Sequence, residues 1–181
     1  MHTVLSPSQK DIFQSNTKDA LYKGVSDSVL SRAADRGTAV HSAIEFWLEF
    51  GAWDTIPDYA PYLVAFTDWY KSRSPEVLGV ELRLYHKLMR YAGTCDLLCR
   101  IDGNLCLVDY KTTSAVNRKT CSVQLEAYAQ ALANAGVYVD RKLILHLTKD
   151  GKWREHEFEA KDAESWRVFG ACKTIYDYNK K

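Results

Sequence analysis

The sequence predicts an α/β fold in which a mixed central sheet is flanked by helices. Its core runs helix, three antiparallel strands, helix, strand, with extra elements at both ends. Three observations lead there. Residues 92–113, AGTCDLLCRIDGNLCLVDYKTT, hold two apolar runs, 95–101 and 105–110, on either side of Asp102-Gly103. That dipeptide suits the positive φ angles of a type I′ turn, so the runs form an antiparallel hairpin. Upstream, Ala39, Val40, Ala43, Ile44, Trp47 and Leu48 recur at helical spacing. Downstream, a strong helix over 121–135 precedes an apolar run at 142–148, and such a crossover lets that strand lie parallel to an earlier one.

Taken in order, Leu5-Ser6-Pro7-Ser8-Gln9 offers a serine cap beside a proline and starts a short helix through Phe13. The polar stretch to Asp27, with Lys18, Lys23 and Gly24, is a loop. Residues 28–50 form the main amphipathic helix. Gly51, Pro57 and Pro61 mark a connection, and Leu63, Phe66, Trp69 and Tyr70 place a second helix over 62–71, stopped at Pro75. Over 77–85, Val80, Leu82 and Leu84 alternate with Glu81, Arg83 and Tyr85, which reads as the first strand. After the hairpin, 113–120 is a polar loop carrying Asn117, Arg118 and Lys119; it either holds phosphates or is a solvated charge cluster. Asn134 to Gly136 closes the following helix. Asp150-Gly151 turns the chain into an edge strand, 152–158, in which Lys152 and Arg154 alternate with acids, and a helix over 163–178 ends the chain through Trp166, Phe169 and Ile175. No repeat or internal boundary breaks this order, so residues 1–181 are expected to be one domain.

Hydrophobic residues make up 46% and charged residues 26%, a globular composition, and the formal charge of +1 excludes a coat of basic residues. Nucleic-acid contact must therefore be local. No signal-peptide core or membrane-length apolar run is seen, which leads to a cytoplasmic expectation. Cys95, Cys99, Cys106, Cys121 and Cys172 make no C-x-x-C pair, so neither an iron–sulfur cluster nor a structural disulfide is expected.

Chemistry concentrates in the hairpin. With a two-residue loop, Ile101 pairs with Asn104, and counting outward sets Asp96 opposite Asp109 with Lys111 on the same face, away from Cys99 and Cys106. Facing carboxylates repel. A hard divalent cation held by oxygen ligands would compensate, with the Lys111 ammonium meeting a phosphate or an activated water.

The pattern G-x-x-D, a dozen residues, then D-x-K resembles the PD-(D/E)xK nuclease superfamily. Here it is Gly93 with Asp96, then Asp109-Tyr110-Lys111 followed by Thr112-Thr113. Other pieces resemble its RecB-type branch. Arg36-Gly37-Thr38-Ala39-Val40-His41 with Glu45 resembles R-G-T-x-x-H-x-x-x-E, Gln124 and Tyr128 match Q-x-x-x-Y, and Leu5-Ser6 with Ser8 matches L-S-x-S, though the usual C-P pair is missing. The resemblance implies a restriction-endonuclease-like fold and a metal-dependent deoxyribonuclease. His41, Asp96, Asp109 and the Tyr110 carbonyl would hold Mg²⁺ or Mn²⁺, and Lys111 would orient the attacking water. Glu81 would hold a second ion or a metal-bound water, or be a plain outward carboxylate. Gln124 would bond a phosphate or metal-bound water; Tyr128 would stack on a base or buttress Lys111. Glu45 either orients His41 or is surface charge, and a glycine at 37 suggests close approach of another segment. Arg36, Thr112, Arg118 and Lys119 complete the expected substrate contacts. A phage-like exonuclease acting at DNA ends in recombination or repair is the implied activity, in a bacterial or phage-infected cell. The implied partners are a recombinase or single-strand-binding protein, with ring and monomer both open. The alternatives are a structure-selective or nicking endonuclease, or a non-catalytic DNA-binding module.

Overall fold

In the computed structural model, residues 27–53 and 57–180 are described, residues 27–31 and 57 by their backbone alone. The expected helix after Ser8 and its neighbouring lysines lie outside them. The described elements are α1 (Asp27–Phe50), a 3₁₀ turn (Pro57–Tyr59), α2 (Ala60–Arg73), β1 (Glu76–His86), β2 (Tyr91–Ile101), β3 (Asn104–Lys111), α3 (Arg118–Asn134), β4 (Arg141–Leu147), β5 (Trp153–Phe158) and α4 (Ala163–Asn179). The strands form one sheet in the order β1-β2-β3-β4-β5, antiparallel except for the β3–β4 pair, which α3 connects as a parallel crossover.

Local chemistry explains the joints. Asp102 and Gly103 have φ values of 52° and 81°, the two left-handed residues of a type I′ turn, and Ile101 pairs with Asn104 and Cys99 with Cys106. One boundary is corrected. Asn117 caps α3, its Oδ1 accepting the Thr120 amide at 3.1 Å, so Arg118 and Lys119 sit in the first helical turn and not in a loop. Ser74 ends α2 in the left-handed region, one residue before Pro75.

Helices cover both faces of the sheet. On one face, α1 and α2 bring Val40, Ile44, Phe66 and Trp69 against Leu97, Cys99, Val108, Tyr110, Leu143 and Leu145. On the other, α3 brings Cys121, Leu125 and Leu132 against Leu84, Leu98, Leu107 and Ile144. Each such side chain contributes about 1.5–3 kcal/mol by leaving water. Beside α3, α4 stacks Trp166 on His86 and sets Phe169 against Tyr91. Beneath these helices, Lys142 and Glu126 form a buried ion pair. Glu126 also accepts from Gln130 Nε2 at 2.8 Å and from the Asp162 amide at 3.3 Å, so its lone pairs are used. Removing one partner of such a pair costs about 3–5 kcal/mol.

The strict alternation expected of β1 fails at one residue. Val80 packs with the α1/α2 core, whereas Leu82 and Leu84 belong with the α3 core. Glu81, between them, has a φ of 46°. Strand β2 does the same alongside, with Leu97 in the first core, Cys95 in the second and Asp96 between. The ladder pairs Val80 with Leu97 and Leu82 with Cys95, bracketing the two acids. Both strands thus exchange faces at Glu81 and Asp96, and a left-handed non-glycine residue there costs on the order of 1–3 kcal/mol.

Asp162 caps α4, accepting from Ser122 Oγ at 2.5 Å, the Ser165 amide at 2.9 Å and Ser165 Oγ at 2.7 Å. Those hydrogen bonds, that of Ser122 foremost, hold its carboxyl down at about 2. Because the folded value lies below the unfolded one, the cap stabilises fully above about pH 4 and is lost as pH falls toward 2. Asp162→Ala is expected to lower stability by about 1 kcal/mol in urea titrations at pH 7. The gap to the unmodified protein should close between about pH 4 and pH 2.

Candidate active site

The double face exchange makes room at the end of the β2–β3 ladder, and three elements fill it. From α1, His41 turns Nε2 to the Tyr110 carbonyl at 3.1 Å and Nδ1 to Asp96 Oδ2 at 3.5 Å. Its ring meets the Tyr110 ring edge-on. Burial opposes charge on this imidazole, but Asp96 and, less strongly, Asp109 prevail and push it up to about 9. The Asp96 carboxylate also accepts the Tyr110 amide at 2.6 Å. The ladder ends at the pair Leu97 with Val108, so a side chain replaces the backbone partner one step on.

Glu81 completes this cluster. One ligand atom from each of His41, Glu81 and Asp96 lies within 4.8 Å of the others. Ligands about 2.0–2.6 Å from a common centre would have such separations. Two carboxylates with an imidazole suit a hard or borderline divalent ion. Asp109, expected among the ligands, lies outside the cluster. Its Oδ2 faces Lys111 Nζ at 2.5 Å and its Oδ1 accepts from Gln124 Nε2 at 3.0 Å.

A hydrogen-bonded chain then leads into α3. Lys111 Nζ donates to Gln124 Oε1 at 3.1 Å, and Gln124 Nε2 donates to the Tyr128 hydroxyl at 3.1 Å as well as to Asp109. Burial works against both charges at the base of the chain. It pushes the Asp109 carboxyl up, while for Lys111 the carboxylates of Asp109 and Asp96 outweigh it and hold the ammonium above its ordinary range. Tyr128 lies flat against β2, where a Cβ added to Gly93 would come 2.6 Å from its ring. The Tyr128 hydroxyl is thus linked to Lys111 through Gln124.

The remaining expected residues are placed as follows. Arg36 Nη2 donates to the Thr112 carbonyl at 3.3 Å and its guanidinium lies over Tyr62, so it ties α1 to the segment after β3. Thr112 is buried. Among the described residues, a Cβ at Gly37 would meet only Thr112 Oγ1, at 3.9 Å. Glu45 is exposed, and the contacts of His41 are with Asp96 and Tyr110. Arg118 donates to the Glu157 carbonyl at 2.8 Å and stacks over Phe158, and Lys119 is exposed. Sequence reasoning missed Asp96 as the acceptor for the Tyr110 amide and Gly93 as the seat of the Tyr128 ring. The only signal for the latter was the pairing of the two motifs that contain them.

The model of the PD-(D/E)XK nuclease superfamily matches residues 54–171. The chain belongs to that superfamily. No curated protein matches it. Among solved structures, the nuclease chain resembles the crystal structure of SSO0001 at 12% identity and a TM-score of 0.51, over 99% of this chain and 80% of that one. At that identity the likeness concerns the fold alone. The mixed five-stranded sheet between helices is the restriction-endonuclease-like arrangement, and superfamily membership makes a nuclease with a divalent metal the general expectation. Among the described residues, no helix is long and apolar enough to cross a membrane.

The two glycines separate a seat from a spacer. Gly93→Ala is expected to displace Tyr128, disorder the Gln124 bridge and destabilise the protein by about 1–3 kcal/mol through overpacking. Gly37→Ala, which would meet only Thr112 among the described residues, should raise stability by about 0.5–1 kcal/mol. Thermal denaturation of both variants measures the contrast.

Proposed function

We propose that this superfamily member is a metal-dependent deoxyribonuclease that hydrolyses DNA phosphodiester bonds as a RecB-type exonuclease acting at ends. One observation carries the reading: His41, Glu81 and Asp96 converge beside the chain from Asp109 through Lys111 and Gln124 to Tyr128. The first group would hold Mg²⁺ or Mn²⁺, with the Tyr110 carbonyl next to His41. When bound, the ion supplies Lewis-acid polarisation of the scissile phosphate and a lowered pKa for water.

The protein's own groups perform the rest. Asp109 and Gln124 fix the direction of the Lys111 ammonium and keep it charged, so its protons are aimed before substrate arrives. A cation so placed stabilises the negative charge developing on the phosphoryl oxygens. Its rigid support means that no reorganisation is needed at the moment of reaction. Asp96 holds His41 and the Tyr110 backbone together, which keeps the two sides of the cleft in register. Support for the RecB-type branch comes from the Q-x-x-x-Y pair bearing on Lys111 and from the histidine of the R-G-T-x-x-H helix bearing on Asp96. On this reading the substrate is linear DNA. Work beside a recombinase or single-strand-binding protein, in a cytoplasmic setting, follows from the same resemblance.

Lys111→Ala and Asp109→Asn are expected to lower metal-dependent DNA cleavage by about 10²–10³-fold or more with the circular dichroism spectrum retained. End-labelled linear DNA should be digested in Mg²⁺ or Mn²⁺ while a covalently closed circle survives. Cutting of the circle would show an endonuclease instead. Isothermal titration should show Glu81→Gln weakening Mn²⁺ binding at least about tenfold; unchanged affinity would remove Glu81 from the ligand set.

A further inference from the structure

Beyond the catalytic centre, β5 divides its charges between the two faces of the sheet. On the α2 face, Glu155 accepts from Trp69 Nε1 at 2.6 Å, Arg73 Nε at 2.9 Å and Arg73 Nη2 at 2.8 Å. Its neighbour Glu157 accepts from Arg141 Nε and Nη2 at 2.8 and 2.9 Å. Both acids of this strand are therefore neutralised by cations on their own side. The alternate positions, Arg154 and His156, point to the opposite face. Arg154 is exposed and has no ion-pair partner among the described residues. His156 Nε2 is buried without a hydrogen-bond partner.

The register carries this face into the catalytic centre, where Lys111 is paired with Asp109. Lys111 pairs with His146 across the parallel β3–β4 ladder, and His146 pairs with Arg154 across β4–β5. An ammonium, an imidazole and a guanidinium thus lie in one row, spanning two strand spacings or about 10 Å. His146 Nε2 meets the Thr113 carbonyl at 2.7 Å, and its ring lies 5.9 Å from that of His156. Arg118 closes the rear, held over Phe158. Burial, with the positive field of His146, Arg118 and Arg154, holds His156 below its ordinary value, and no acid is among the causes.

We propose that the row Lys111–His146–Arg154 is a phosphate track, along which the DNA backbone runs from the cleavage site across β4 and β5. The inference rests on the nuclease reading for its substrate. Its electrostatic basis is independent, because Arg154 on β5 lies three strands from Asp96 on β2 and four from Glu81 on β1. A chain of net charge +1 gains local affinity for a polyanion where an exposed cation such as Arg154 stands without an ion-pair partner among the described residues.

The test is binding of a fluorescein-labelled 20-nucleotide DNA, single-stranded and duplex, by the full chain in Ca²⁺ over a range of salt. Arg154→Ala is expected to weaken binding about fivefold and to reduce the slope of log K against log salt by about one, and Arg154→Glu to reduce both further. Arg100→Ala removes the same charge at the far end of the β2–β3 hairpin, and should leave slope and affinity unchanged. Wild-type affinity and slope in both Arg154 variants would overturn the track, as would an equal loss in Arg100→Ala or no binding by the unmodified protein. If the slope changes as expected but no DNA is cleaved in Mg²⁺ or Mn²⁺, the track stands and the nuclease reading falls.

Discussion

The carboxylate of Asp96 is the contact on which the arrangement turns. It accepts the Tyr110 amide where the β2–β3 ladder stops and faces His41 of α1 from the same oxygen. A buried carboxylate without such partners would carry a heavy desolvation cost; here the backbone amide and the imidazole offset it. The consequence is structural and chemical at once. The end of β3, the strand β2 and the helix α1 are tied at a single atom, and Asp96 shares a cluster of ligand atoms with His41 and Glu81.

That contact is possible because β1 and β2 exchange faces together. A left-handed φ at Glu81 is an uncommon conformation for a glutamate, and its cost is met by the packing on either side. Val80 and Leu97 are held in one core while Leu82 and Cys95 are held in the other. Neither strand could exchange faces alone without breaking their ladder. The strain therefore lies where function is proposed, as is common for over-determined sites.

Helix α3 is anchored to the sheet by two polar groups as well as by its apolar stripe. Gln124 reaches Asp109 and Lys111 on β3, and Glu126 reaches Lys142 on β4. Apolar contacts tolerate sliding, but buried polar groups must be satisfied in one geometry. The pair of anchors thus sets the helix relative to Lys111, and Tyr128 against Gly93 keeps it there. The same side of the sheet carries the basic row across β4 and β5, whereas the acids of β5 are held on the other side by Arg73 and Arg141.

Local periodicity was enough to read the order of elements, the Asp102-Gly103 turn and the hairpin register out to Leu97 and Val108, because turn chemistry and apolar spacing act over a few residues. Asp96, Asp109 and Lys111 were legible for the same reason, whereas Gly93, Gln124 and Tyr128 stood out only through the resemblance to the superfamily's motifs. Counting by twos through Glu81 and Asp96 could not reveal the face exchange, since nothing local marks a glutamate that must turn left-handed. Only the tertiary structure decided that Glu81 joins His41 and Asp96 while Asp109 turns to Lys111 and Gln124, and that Gly93 seats the Tyr128 ring. Those outcomes depend on which distant side chains share a space, and spacing along one strand or helix carries no record of what packs against it.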